Sequence, residues 1–350
     1  MELKYFIIRR ALVIIPTLMG LTILTFLLLW AYGPNLVAAG FESEKYHNVA
    51  AALAAQGFNF SDPIGTYFSY LAHLFTGNWG TINQPISAKT LTAVEIFFPN
   101  TIQLAIAATI VSVIIAIPLG TYIGARPNSP ADQAGRIFSL SGYALPAFWL
   151  AYVLIILFGK KVGVVPYLNI FPYDGNGSLN VSSPIFNNFH VSTPTHILLI
   201  DALIAGDIPL FESAFMHLIL PVATLTYGIL AGILRFIRAG MVDASNQEFV
   251  KTARAKGVPE KTVIKKHIRK NALLPTVTVL GLLVSGLLGG VVTVEYVFDY
   301  LGIGYLAVYT AEATQVWGIL VLTFIFGIIL MITNLIVDVI YAFLDPRIRY

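Results

Sequence analysis

The sequence predicts an all-α integral membrane protein of six transmembrane helices, with two long external loops and one long, basic cytoplasmic loop. Three observations carry that reading. The 350-residue chain is 57% hydrophobic and 11% charged, where an ordinary soluble domain carries about 25% charge. Six apolar runs each approach the roughly 20 residues needed to cross a bilayer as a helix. Seventeen of the 21 lysines and arginines fall in alternate connecting segments, the bias that marks cytoplasmic loops.

The first run spans about 11–32, ALVIIPTLMGLTILTFLLLWAY. It follows Lys4, Arg9 and Arg10, but it exceeds the roughly 7–15 apolar residues of a cleaved signal and lacks an A-x-A site. It is therefore expected to remain as a helix. The second run is about 101–125, the third 137–158, the fourth 214–234, the fifth 275–298 and the sixth 317–344. Pro16, Pro118, Pro146 and Pro221 lie inside or near these runs. Prolines in lipid are tolerated where neighbouring helices satisfy the freed backbone groups, so a packed bundle is expected.

With the N-terminus inside, the inner segments hold Lys4, Arg9 and Arg10, then Arg126 and Arg136, then ten residues from Arg235 to Lys270, then Arg347 and Arg349. The outer segments hold only Lys45, Lys89, Lys160 and Lys161. Both termini are thus expected in the cytoplasm of a multi-pass protein of the plasma or inner membrane.

Residues 33–100 and 159–213 then lie outside, and both are acidic. They contain three N-x-[ST] sequons, at Asn59, Asn176 and Asn180, which are candidate glycosylation acceptors in a glycosylating organism. Ionisable residues within the runs are few. His217 and Glu295 fall near the outer ends of the fourth and fifth runs, and Asp338 near the inner end of the sixth. Both acids are expected at the interface. An ion-coupled carrier usually places charges near the midplane, so this scarcity counts against one. The chain has no cysteine, which excludes thiolate chemistry and Cys-based zinc sites. It has no P-loop pattern, so it is not expected to hydrolyse ATP by the usual route.

The densest basic stretch is EFVKTARAKGVPEKTVIKKHIRKNALLP, residues 248–275. Phe249, Val250 and Ala253 fall on one helical face. Gly257 ends that run as a C-cap glycine would, and Pro259 with Glu260 opens a second helix. In it Val263, Ile264, His267 and Ile268 share a face. The stretch reads as helix, glycine turn, helix. It suits a docking element for a protein partner, or a basic surface that touches lipid headgroups.

Several blocks in order resemble one family. They are YFIIRRALVIIPTLMG, GNWGTINQPI, LPAFWLA, LPVATL, TARAKGVPEKTVIKKHIRKNALLP, VEYVFDYLGIGYL and NLIVDVIYAFLDPRIRY. Together they are similar to the membrane subunits of ABC importers, in the branch that carries dipeptides, oligopeptides and nickel, and in some archaea oligosaccharides. The closer likeness is to the first permease subunit type, oligopeptide permease B-like.

The resemblance implies a type I ABC importer transmembrane domain. Its N-terminal helix would be 1–32, its external region 33–100 and its core 101–350. Within that core lie an external insertion at 159–213 and a cytoplasmic coupling loop at 235–274. It implies a transport subunit that is not itself an enzyme and holds no cofactor, with ATP and Mg on partner subunits. Those partners would be a second homologous permease, two ABC ATPase subunits and an extracellular substrate-binding protein. Membrane lipid surrounds the chain, and no nucleic acid is expected.

Carried over by position, the ATPase-coupling residues are Glu248, Phe249, Thr252, Ala253, Arg254, Ala255, Lys256 and Gly257. Ala253 and Gly257 match the motif's alanine and glycine, and Thr252 stands where the broader superfamily often has glutamate. The chain departs at Leu301, where the family usually has proline, and at Asn78, where aspartate is usual. Segments 36–57 and 168–212 have no firm match. The competing readings are an ion-coupled secondary carrier and a membrane scaffold whose basic loop grips only headgroups.

Overall fold

The computed structural model describes residues 3–40, 59, 61–82, 86–160, 195–313 and 315–344, with isolated positions 162, 164, 171 and 172. The first helix, α1, runs Leu3–Gly40, well beyond the apolar run expected at 11–32. Thr17 and Thr25 lie within it and donate their hydroxyls to the carbonyls of Val13 and Leu21. Lipid offers no partner, so these side chains are satisfied inside the helix.

Part of the region expected as an external loop is regular. Helix α2, Pro63–Thr76, starts at Asp62, whose side chain accepts from the Gly65 N–H, and ends at Gly77 with φ 71°. A short antiparallel ladder pairs Thr81–Ile82 (β1) with Ala88–Lys89 (β2). Helix α3 then runs Thr90–Gly124 with Pro99 and Pro118 inside it. Its 35 residues span about 52 Å at 1.5 Å per residue, longer than the ~30 Å hydrocarbon core.

The third run does not form one straight helix. It divides into α4, Pro130–Ala144, and α5, Ala147–Phe158, bent by 112°. The cause is local. Leu145 precedes Pro146 and takes extended angles, φ −86° and ψ 121°, because the proline ring disfavours helical geometry in the residue before it.

A short helix, α6 (Leu198–Ala205), leads to the long α7, Ile208–Ser245. Helix α7 is the pillar of the molecule. In its most apolar window 72% is buried, against 17% in α1. Against it pack α3, α4, α5, α6 and a later helix, α10. After α7 come α8 (Glu248–Ala255), α9 (Glu260–Thr262), a π-helical turn (Val263–Ile268) and α10 (Arg269–Val297). The chain then forms α11 (Ile303–Glu312) and α12 (Val316–Leu344).

Two large apolar cores and one small one, Leu198, Ala202, Leu210 and Ala214 between α6 and the start of α7, form among the described residues. One large core surrounds α7 and draws in α3, α5, α8, the π-helical turn and α10. The other joins α1, α2, the start of α3, α11 and α12. Among the described residues four helices are long and apolar enough to cross a membrane: α1, α3, α7 and α12. The bent pair makes a fifth if it is one span. The fifth run expected from sequence falls on the 29-residue α10.

Candidate functional site

The basic stretch folds as helix, turn, helix. Val250 and Ala253 on α8 turn inward, at 0% and 7% exposure, against Val263 at 0% and Ile268 at 2%. Phe249 does not join them and is 40% exposed. It sits one residue, about 100°, around the helix from Val250, and the buried stripe is too narrow to include both. Glu248, Thr252, Arg254, Ala255, Lys256 and Gly257 are also exposed. Ala253 instead faces this chain's own core, where its small side chain lets α8 sit close.

The turn after α8 has a defined geometry. Gly257 has φ +73°, a left-handed conformation that costs a residue with a Cβ about 1–2 kcal/mol. The Val258 N–H donates to the Ala253 carbonyl at 3.2 Å, and the Gly257 N–H to the Arg254 carbonyl at 2.9 Å. These are the two bonds of a Schellman cap. Across the turn, Arg254 grips Glu260 with a two-pronged fork, Nη2 to Oε1 at 2.7 Å and Nε to Oε2 at 3.1 Å. The guanidinium holds the Glu260 carboxyl below its ordinary value, and the carboxylate raises Arg254. Glu248 pairs with Lys251 at 2.8 Å, and the Thr252 hydroxyl donates to the Glu248 carbonyl. The outer face of this unit is therefore one exposed aromatic ring amid charge, on a turn braced from both sides.

Two further polar clusters hold the helices that carry the loop, and the sequence reading missed both. Asp132, with its side chain fully buried, binds Arg136 at 2.6 Å and both Nε and Nη2 of Arg238. It also accepts from the Asn128 N–H at 2.9 Å. This ties the start of α4 to the C-terminal half of α7. A legible signal was Ser129-Pro130-x-Asp132, a helix start with an acid at N3; indeed the Ser129 hydroxyl accepts from the Asp132 N–H.

Glu295 was expected at the interface. It is wholly buried, because the start of α11 folds back over it. Its carboxylate accepts from the Thr101 hydroxyl at 2.7 Å and from the N–H groups of Gly304 at 2.7 Å and Tyr305 at 3.1 Å. Asp338 is half-buried and pairs with Arg10 at 3.3 Å, joining α12 to α1.

At the α4–α5 bend a cavity of about 300 Å³ opens between α4, α5, α7 and α10. Leu145, Tyr227, Gly228, Leu282 and Gly286 are among its lining residues. Asn59 is exposed and its side chain accepts from the Ser61 N–H. Asn176 and Asn180 lie outside the described residues.

Comparison with known proteins agrees with this architecture. Residues 116–350 match the family described as binding-protein-dependent transport system inner membrane component. The chain is 32% identical over 346 residues to the oligopeptide transport system permease protein AppB of Bacillus subtilis (strain 168), covering 99% of each. It is 31% identical over 357 residues to the dipeptide transport system permease protein DppB of Escherichia coli (strain K12), covering 99% of this chain and 98% of that one. To the probable D,D-dipeptide transport system permease protein DdpB of the same organism it is 33% identical over 285 residues, 81% of this chain and 79% of the relative. With the match running through α4, α7, the glycine turn and α10, this chain belongs to the family of binding-protein-dependent transport system inner membrane components.

Proposed function

We propose that this chain is one of two membrane halves of an ATP-driven, binding-protein-dependent importer, and that its cargo is peptide. The observation that carries this is the unit Glu248–Gly257. It is an eight-residue helix, Glu248–Ala255, with its capping turn; the buried face is fixed in the core, while Phe249 and a charged rim are exposed. A loop that only gripped headgroups would need neither a Schellman cap nor an Arg254–Glu260 brace. A driven importer needs a firm lever. A separate ATPase subunit pulls on Phe249, Thr252, Lys256 and their neighbours, and the braced turn passes that pull into α7 and α10.

The rest of the reading follows from the same picture. The chain crosses the membrane six times, with α10 and the bent pair each a span and both termini in the cytoplasm. A second, related permease completes the passage, two ATPase subunits bind ATP and Mg, and a soluble binding protein delivers cargo outside. The sequence left peptide, oligosaccharide and nickel open; the relatives, named as oligopeptide and dipeptide permeases, favour peptide. Asn59, Asn176 and Asn180 remain candidate acceptors for glycans on the outer side.

The test is a gentle detergent pull-down of the tagged chain from its native membrane, with mass spectrometry of what accompanies it. A P-loop ATPase and a second permease are expected. A solitary chain, under conditions that keep other complexes whole, would overturn the importer reading in favour of a carrier.

A further inference from the structure

We propose that the π-helical turn Val263–Ile268 is the hinge through which movement of the α8–α9 unit reaches α10. This rests on the coupling reading above. The turn is defined by its bonding, since the Arg269 N–H donates to the Ile264 carbonyl, five residues back. π-helical residues make up well under about 1% of proteins. They appear mostly as single turns within α-helices, often at functional sites.

The reason for the wide turn lies in the packing on either side. Val263 and Ile268 are both in the core, at 0% and 2% exposure. In a regular α-helix, residues five apart point about 140° from each other, and one of the two would leave the core. The i→i+5 turn sets them one above the other. It thus reconciles two registers. Upstream, Val263 belongs with Val250 and Ala253 of the braced loop. Downstream, Ile268 belongs with Ala272, which is 2% exposed and starts the packing of α10.

The mechanical consequence follows from the extra residue. Upstream of the turn, the Arg254–Glu260 fork makes α8 and the start of α9 one piece. Downstream, α10 packs along α7. The outer side of the turn carries Lys265 and Lys266, both exposed. Closing the wide turn into a regular α-helical one moves the upstream piece by about 1.5 Å and turns it by about 100° relative to α10, with no break in the helix. A continuous α-helix has no spare residue with which to do this. The hinge lets the loop follow the ATPase while α10 swings as a body.

Deletion of Lys265 tests the idea. Val263 and Ile268 would then be four apart, so an ordinary α-helix keeps both buried and the chain should insert normally. In the full reconstituted complex the deletion variant should capture the ATPase as the parent does. Its peptide uptake and cargo-stimulated ATP hydrolysis should fall by at least about tenfold, the scale of a typical lost coupling. Lys265→Ala, which keeps the length, should transport like the parent. Unchanged uptake in the deletion variant overturns the hinge, and failure of the parent itself to capture an ATPase overturns the coupling reading instead.

Should the deletion variant not assemble, a spin-label pair decides. The chain has no native cysteine, so Lys256→Cys and Lys270→Cys give clean sites across the turn. With ATP the distance is expected to change by about 1.5 Å or more, one residue's rise. An unchanged distance overturns the proposal.

Discussion

Asp132 and Arg238 lie 106 residues apart in sequence, yet Nε and Nη2 of the arginine both bind the one buried carboxylate. Arg136 shares the same oxygen as Nη2. The three groups fasten the start of α4 to the part of α7 that leads into the basic loop. Asp132→Asn should therefore destabilise the protein strongly. Breaking a buried pair costs about 3–5 kcal/mol. The lower end is expected, because Arg136 and Arg238 keep 45% and 26% of their side chains exposed. Thermal unfolding in detergent would show the loss. An unchanged midpoint would mean that the cluster is not what joins the two helices.

Gly257 offers a cleaner separation of strain from packing. A Cβ built there meets nothing within 4 Å, so only the backbone objects. Gly257→Val should distort the turn by about 1–2 kcal/mol of left-handed strain and abolish uptake, with the chain still folded and inserted. Gly257→Asn should retain most transport, since asparagine visits this region readily. Equal uptake in the valine variant would remove the turn from the coupling mechanism.

Much of this fold is legible in the sequence, and the failures have physical causes. Long apolar runs reveal the helices because the bilayer imposes their length and composition. Gly257 is legible because few residues tolerate its φ. The α4–α5 bend lay in the Leu145-Pro146 pair, but hydropathy averages over it. Asp132 was passed over and Glu295 misplaced because their burial depends on residues far off in the chain, Arg238 and Thr101. The π-helical turn was hidden because Val263, Ile264, His267 and Ile268 also fit an ordinary helical face. Nothing local says that Phe249 faces out while Val250 faces in.

The orientation can be checked with the same cysteine-free background. A cysteine placed at Lys256 should react with an impermeant maleimide in inverted vesicles and stay unlabelled in intact cells. Labelling from outside intact cells would place the basic loop on the other side and overturn the orientation.

The Arg254–Glu260 fork should respond to acid. Glu260 has its carboxyl lowered in the folded loop by the Arg254 guanidinium. Its contribution is therefore full above the ordinary carboxylate value of about 4.3 and is lost as pH falls through the lower folded value. Both partners are about half exposed, so the effect is local and small. A spin label at Lys256 should gain mobility only below that ordinary value. Glu260→Gln should show the mobile spectrum at neutral pH. Identical spectra for the parent and Glu260→Gln would mean that the fork does not brace the turn.

Thr101 and Glu295 supply the last prediction, because together they satisfy the start of α11. A helix begins with N–H groups that have no partner within it. Here Ile303 donates to the Thr101 hydroxyl at 2.8 Å, and Gly304 and Tyr305 donate to the Glu295 carboxylate. The Thr101 hydroxyl donates its own hydrogen bond to the same carboxylate. Gly302 makes the approach feasible, since a Cβ there would collide with the Glu295 carboxyl. Glu295→Ala should orphan the Gly304 and Tyr305 donors, at about 1–3 kcal/mol for each buried group left unpaired. Glu295→Gln should lose less, because its amide oxygen still accepts while its NH₂ turns to Thr101. Thr101→Val should fall between them. Hydrogen exchange reads this directly: amides from Ile303 to Leu306 should exchange faster in the order Ala, Val, Gln, with the middle of α10 unaltered. If all three variants protect those amides like the parent, α11 is held by its apolar packing on α12, and the buried carboxylate is not its anchor.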